Sequence, residues 1–193
     1  MSDLGYFSTK PTLVGRKTIL HPFTAADVAR MAEILADPEV LRLTGSVRST
    51  VRQPDFHPTL TEEERTWYET RHLQSDRLDL AVVDSASGEC VGEVVLNELS
   101  EIDNSCGFRI LLGPQGRDRG IGSEATRLII DHAFSSTRLN RIELEVYQFN
   151  PRARHVYERA GFVFEGVKRS SFKFDDEYVD TVMMSILRSD RTD

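Results

Sequence analysis

The sequence predicts one mixed α/β domain built on a mostly antiparallel central sheet flanked by helices. Three observations predict it. Strand patterns follow one another across polar turns between Leu78 and Leu112, which reads as an antiparallel meander. Helix and strand periodicities then alternate from Gly113 onward. Finally, 193 residues with 39% hydrophobic content supply one core, and no fixed-period repeat or Pro/Gly/Ser-rich linker divides them. The domain is expected over residues 11–187, between an N-terminal extension (1–10) and a C-terminal tail (188–193).

Lys17–Pro22 reads as the first strand. Thr24 looks like an N-cap, with Asp27 in the first turn of a helix that runs through Val28, Met31, Ile34 and Leu35. Asp37-Pro38 breaks that helix, and Glu39–Leu43 can form one more turn. Thr44–Pro58 lacks apolar periodicity and reads as a loop. Thr61 and Glu64 form a capping box opening a helix to about Gln74. Leu78–Val83 and Cys90–Leu96 are strands joined by the Asp84–Glu89 turn, and Ser105–Leu112 follows a polar turn at Glu101–Asn104. Beyond the Gly- and Arg-rich stretch Gly113–Gly120, a helix runs from about Gly122 to Ser135 with a stripe of Ala125, Leu128, Ile129 and Ala133; His132 lies beside that stripe. Arg141–Tyr147 alternates as a strand, and Pro151–Ala160 is a helix ended by Gly161. Strands near Phe162–Lys168 and Val179–Leu187 close the chain.

Composition narrows the function. Lys and Arg number 24 against 31 Asp and Glu, a net charge of −7, which argues against nucleic-acid binding through bulk charge. Cys90 and Cys106 show no CxxC spacing and read as buried free thiols, and the five histidines show no HExxH or i, i+4 pattern, so no metal site is expected. Without a signal-length or membrane-length apolar run, the chain is expected to be cytoplasmic, with no membrane partner.

The chemistry concentrates in residues 113–124, GPQGRDRGIGSE. Glycines at 116, 120 and 122 let backbone approach a ligand closely, the helix start presents unpaired N–H groups, and Arg117 and Arg119 add charge. A strand, a Gly/Arg loop and a helix N-terminus in that order form an anion site suited to pyrophosphate. The spacing is neither a P-loop nor GxGxxG. A second constellation runs from Asn150 to Phe162. Asn150 can reach a ligand or cap the next helix, and Tyr157, two turns on, can face the same cleft. Taken alone, Tyr157 reads as a core tyrosine.

Together the two segments resemble the GNAT superfamily of acyl-CoA-dependent N-acetyltransferases. Arg117, Gly120 and Gly122 match its Arg/Gln-x-x-Gly-x-Gly/Ala loop, and Asn150, Tyr157, Gly161 and Phe162 match its later pattern. Ile19–Pro22, Asp37–Val40, Val91–Glu93 and Glu165–Lys168 resemble the RimJ/RimL-like branch. The resemblance implies a splayed central strand pair and acetyl-CoA as cosubstrate. The loop amides of Arg117, Asp118, Arg119, Gly120, Ile121 and Gly122 would hold its pyrophosphate. Its pantetheine arm would pair with Ile110, Leu111 and Leu112, where that strand parts from Arg141–Tyr147. Asn150 would bond the pantetheine, and Arg152 and Arg154 are candidate outer-phosphate contacts.

The resemblance further implies direct transfer to a primary amine, on a protein N-terminus or a small molecule, with Tyr157 as acid at the leaving thiolate. Ser105 stands before Cys106-Gly107 where many relatives carry a basic glutamate. Glu93 or Glu145 acting through water is therefore a candidate base, with Asn97 positioning that water. The acceptor pocket is expected between the Thr44–Pro58 loop and a Phe172–Tyr178 turn, where Asp55, Asp175, Asp176 and Glu177 suit a cationic acceptor. A homodimer is expected from the family. The alternative is a non-catalytic CoA-binding sensor or regulatory protein.

Overall fold

The structure, a computed structural model, describes residues 5–49 and 59–191. Side-chain caps set the helix starts. Thr24 and Asp27 exchange reciprocal bonds at the head of α1 (Ala25–Leu35), and Asp37 accepts from the Val40 amide at 2.9 Å to open α2 (Pro38–Thr44). Thr61 and Glu64 form the expected box at α3 (Glu62–Thr70), which continues into a tight turn at Arg71–Leu73. α4 (Ile121–Ser136) and α5 (Pro151–Ala160) follow, and Gly161 closes α5 at φ 101°.

The strands are β1 (Leu13–Val14), β2 (Thr18–His21), β3 (Leu78–Asp84), β4 (Cys90–Ser100), β5 (Ser105–Leu112), β6 (Arg141–Tyr147), β7 (Val163–Phe174) and β8 (Glu177–Leu187). They form one sheet in the order β1-β2-β3-β4-β5-β6-β8-β7. Neighbours are antiparallel except β5 and β6, which are parallel. β3 is buried at every position, because helices cover both of its faces. On one face, α4 and α5 pack Ile121, Ala125, Ile129, Ala133 and Tyr157 over Leu80, Val94, Leu96 and Phe108. On the other, α1, α2 and α3 place Val28, Met31, Val40 and Tyr68 over Ala81, Val83 and Leu111. This is the mixed, mostly antiparallel α/β sheet that the sequence predicts.

Several boundaries differ. β1 is an added two-residue strand, and β4 runs on to Ser100 through an irregularity after Asn97. The strand expected at Phe162–Lys168 extends to Phe174, so the expected Phe172–Tyr178 turn is two strand ends joined at Asp175-Asp176. Its pattern was hidden because β7 is an edge strand exposed on most positions, with a register shift between Lys168 and Phe172. Of the expected N-terminal extension, residues 5–10 lie against the domain, with Phe7 in the core and Lys10 Nζ donating to Gln74 O at 2.6 Å. Arg188 in the expected tail donates to the carbonyls of Leu139 and Thr137 at 2.8 and 2.9 Å. Much of the Thr44–Pro58 loop, with Asp55, lies outside the described residues. No described helix is long and apolar enough to cross a membrane.

Ile129 is fully buried beneath α4. Ile129→Ala is expected to cost about 3 kcal/mol of unfolding free energy, read as a lower urea midpoint at unchanged slope. A loss under about 1 kcal/mol would contradict this packing.

Candidate active site

β5 and β6 pair over three positions only, Ser105 with Arg141, Cys106 with Ile142 and Gly107 with Glu143. Beyond Gly107 they part, so Phe108–Leu112 has no partner on its β6 side. The gap is a cleft of about 590 Å³ bordered by α2, β4, β5, β6, the start of α4 and α5. That size suits a small-molecule site.

One end of the cleft is built for an anion. Gly120 precedes α4 at φ 80°, and a β-carbon there would lie 2.7 Å from Lys17 Nζ. Ile121, Gly122 and Ser123 are the first residues of α4, so their N–H groups have no intrahelical acceptor. Arg117, by contrast, is a bracket: its Nε donates to Leu112 O at 2.9 Å, Nη2 to Asp37 at 2.9 Å, and Nη1 to Glu39. The Arg117 N–H itself points to Pro114 O at 3.4 Å. The Arg119 guanidinium turns to Asp84 at 2.7 Å and Gln115 O at 3.1 Å, holding the Asp84 carboxyl below its ordinary pKa. Ile121 is core. Of the expected loop residues, Arg117, Asp118, Gly120 and Gly122 line the cleft, whereas the Arg119 and Ile121 side chains do not. Ser123 lines it too and was missed. Arg152 lines the cleft paired to Asp118 at 3.0 Å, while Arg154 pairs with Glu158 at 2.9 Å along α5. Ile110, Leu111 and Leu112 form the β5 wall, and Asn150 borders it with its side-chain oxygen capping α5 through Ala153 N at 3.2 Å.

At the middle stands Tyr157. It is 7% exposed, wedged edge-on between Phe108 and Phe162, and its hydroxyl hydrogen-bonds no described residue. Burial raises its pKa well above the ordinary phenol value, so the hydroxyl keeps its proton. Cys90 and Cys106 are buried and pushed up to about 12, which makes both poor nucleophiles.

The expected bases fall into different surroundings. Glu93 lies on the cleft floor, 4% exposed, and accepts from Arg71 Nη1 at 2.7 Å. Arg71 also reaches Asp79 at 3.3 Å, and Arg77 Nε reaches Asp79 at 2.6 Å. Tyr68 bonds Glu93, and burial first, then the Glu93 charge, raise its pKa. Glu145 lines the cleft in an ion pair with Lys168. Asn97 faces Gly107, whose missing β-carbon would lie 3.1 Å from Asn97 Oδ1 and 3.3 Å from Glu98 Oε2. Glu98 is the residue that sequence alternation missed. The strand irregularity sets it at φ 53° and swings its carboxylate into the cleft beside Asn97, with no ion-pair partner among the described residues. Arg109 and Tyr147 also line the cleft and were not expected there. Asp175, Asp176 and Glu177 do not line it; Asp176 is fully in solvent and lies 3.9 Å from Lys173. Among the described residues no group of His, Cys, Asp and Glu could hold a metal ion.

The unpaired strand edge, the orphan amides and the glycine at the helix start fit a long ligand with a pyrophosphate at one end, as CoA has. Residues 17–163 match the family model described as an acetyltransferase (GNAT) domain. The chain is 32% identical to a spermidine N(1)-acetyltransferase of Vibrio cholerae over 62% of this chain and 69% of that one. It is 29% identical to the Escherichia coli K12 enzyme of the same name, over 61% of each. The matched stretch thus spans about two thirds of these relatives' own length. Among solved structures, the fold is similar to Vibrio cholerae spermidine N-acetyltransferase in complex with CoA and spermine, at a TM-score of 0.75 and 23% identity over 91% of this chain and 98% of that one. It is equally similar to a GNAT-family acetyltransferase from Bacillus anthracis, at 0.75 and 18% identity over 93% and 99%.

The buried charges under the cleft carry a direct expectation. Arg71→Met would leave Glu93 without its cation and is expected to cost roughly 3–5 kcal/mol of stability, measured by urea unfolding. A cost below about 1 kcal/mol would show that the pair does not hold the floor.

Proposed function

Because this chain belongs to the GNAT family of N-acetyltransferases, which use acetyl-CoA, we propose that its cleft carries acetyl transfer to a primary amine on a small molecule. The observation that carries this reading is Tyr157, a protonated, unbonded hydroxyl in the gap between β5 and β6. The amides of Asp118–Ser123 and the side-chain amide of Asn150 hold the cosubstrate, and the unpaired edge of β5 aligns its arm. Arg152 can leave Asp118 for a phosphate.

Glu98, supported by Asn97, accepts the proton that an ammonium acceptor must lose. The freed nitrogen attacks the thioester carbonyl, the C–S bond breaks, and Tyr157 gives its proton to the departing thiolate. The nitrogen loses its second proton to solvent as the amide forms, solvent restores the tyrosine proton and Glu98 releases its own, so the balance is one amide, one thiol and one released proton. Glu93, fixed by Arg71, shapes the floor rather than moving the proton.

The RimJ/RimL-like placement, and with it a protein N-terminus as acceptor, rests on the four short segments noted above. The relatives named for spermidine favour a small free amine instead. A homodimer is supported by the long edge strand β7, which leaves Val163, Phe164 and Val167 exposed.

Tyr157→Phe is expected to lower kcat by about 10²-fold in a thiol-release assay with CoA affinity retained. Unchanged kcat would remove Tyr157 as the acid. Glu98→Gln is expected to lower kcat/KM by about 10²-fold for amines protonated at the assay pH, and far less for amines of low pKa. Equal losses for both kinds of amine would mean that Glu98 is not the base.

A further inference from the structure

The acceptor end of the cleft has a charge pattern that acetyl transfer alone does not require. Glu93, Glu143 and Glu145 are each held by a cation of the chain, Arg71, Arg141 and Lys168. Glu98 and Arg109 line the same cleft, and neither has an ion-pair partner among the described residues. Two more guanidinium groups stand one ring behind the wall. Arg42 lies 5.1 Å from the Phe149 ring centre and Arg48 lies 4.8 Å from that of Phe172. Both rings pack on Tyr147, at 5.2 and 4.4 Å, and Tyr147 lines the cleft. Arg42 and Arg48 likewise have no carboxylate partner among the described residues. Burial raises the Tyr147 pKa; the charge of Arg48 opposes that rise, Glu145 adds to it, and Arg109 opposes it more weakly, so charges of both signs act on its phenol.

In a chain of net charge −7, Arg109 and Glu98 share the cleft lining without ion-pair partners among the described residues, and two further guanidinium groups, Arg42 and Arg48, back the aromatic wall behind Tyr147. A polyamine brings further ammonium groups and would be repelled there. We infer that the acceptor is a small amine that also carries a carboxylate, its amine set against Glu98 and its carboxylate against Arg109. Gly107, which faces Asn97 and Glu98, is two residues from Arg109 on β5, a distance of about 7 Å. A few methylenes span it. This inference rests on the acetyl-transfer reading and names its substrate class.

The test is kcat/KM with acetyl-CoA for 5-aminopentanoate, pentylamine and 1,5-diaminopentane, which share one attacking amine and differ in tail charge. Spermidine serves as a further polycation. The carboxylate compound is expected to exceed the diamine by about tenfold or more, with pentylamine between them. Arg109→Glu is expected to reverse that order and Arg109→Lys to retain it, a reversal that misfolding cannot imitate. Fastest turnover on the diamine or spermidine, or an order that Arg109→Glu does not move, would overturn the inference and leave the transferase standing. No thiol release with any of the four would overturn the transferase reading and this inference together.

Discussion

Three residue pairs of parallel contact between β5 and β6, followed by divergence, set the terms for the rest of the structure. An unpaired strand edge inside a protein leaves backbone donors and acceptors that must find partners. Here the surrounding elements do not close over it. α4 starts at one end of the gap, α5 passes beneath it, and β4 backs it through its pairing with β5. The sheet leaves main-chain bonding capacity open along β5, and the well-packed cores on its two faces keep that opening from collapsing.

Much of this was legible in advance for physical reasons. Caps at Thr24 and Thr61, the break at Asp37-Pro38, the apolar stripe of α4 and the glycine after α5 are local signals, and each marks its element in the structure. The Gly-rich loop was legible because only certain backbone shapes permit a helix to begin at Gly120 with its amides free. Side-chain partnerships across the chain were not legible. Nothing near Glu93 in sequence announces Arg71, and nothing near Arg117 announces Asp37 and Glu39. The Arg117 and Arg119 guanidinium groups, which read as charge for an anion, tie elements together in the structure. Glu98 escaped because strict two-residue alternation assigns it to the opposite face from Glu93 and Asn97; one irregular backbone position undoes that parity.

The two ends of the cleft are electrically different. Around the helix start, Arg117 and Arg152 are balanced by Asp37, Glu39 and Asp118, so what that end offers an anion is chiefly its amides and the helix dipole. Toward Tyr147, Glu98 and Arg109 line the cleft without ion-pair partners among the described residues. Recognition by fixed backbone suits a group common to every turnover. Recognition by mobile side chains suits the partner that distinguishes one enzyme from another.

α2 touches both regimes. Its N-terminal end is clasped by Arg117 through Asp37 and Glu39, and its C-terminal glycine, Gly45, closes so tightly on the Tyr147 hydroxyl that a β-carbon has no room. Seven residues of helix, about 10 Å long, therefore act as a strut between the glycine-rich loop and the aromatic wall. The two ends of the cleft are therefore mechanically joined: a displacement of either one would bear on the other through this helix.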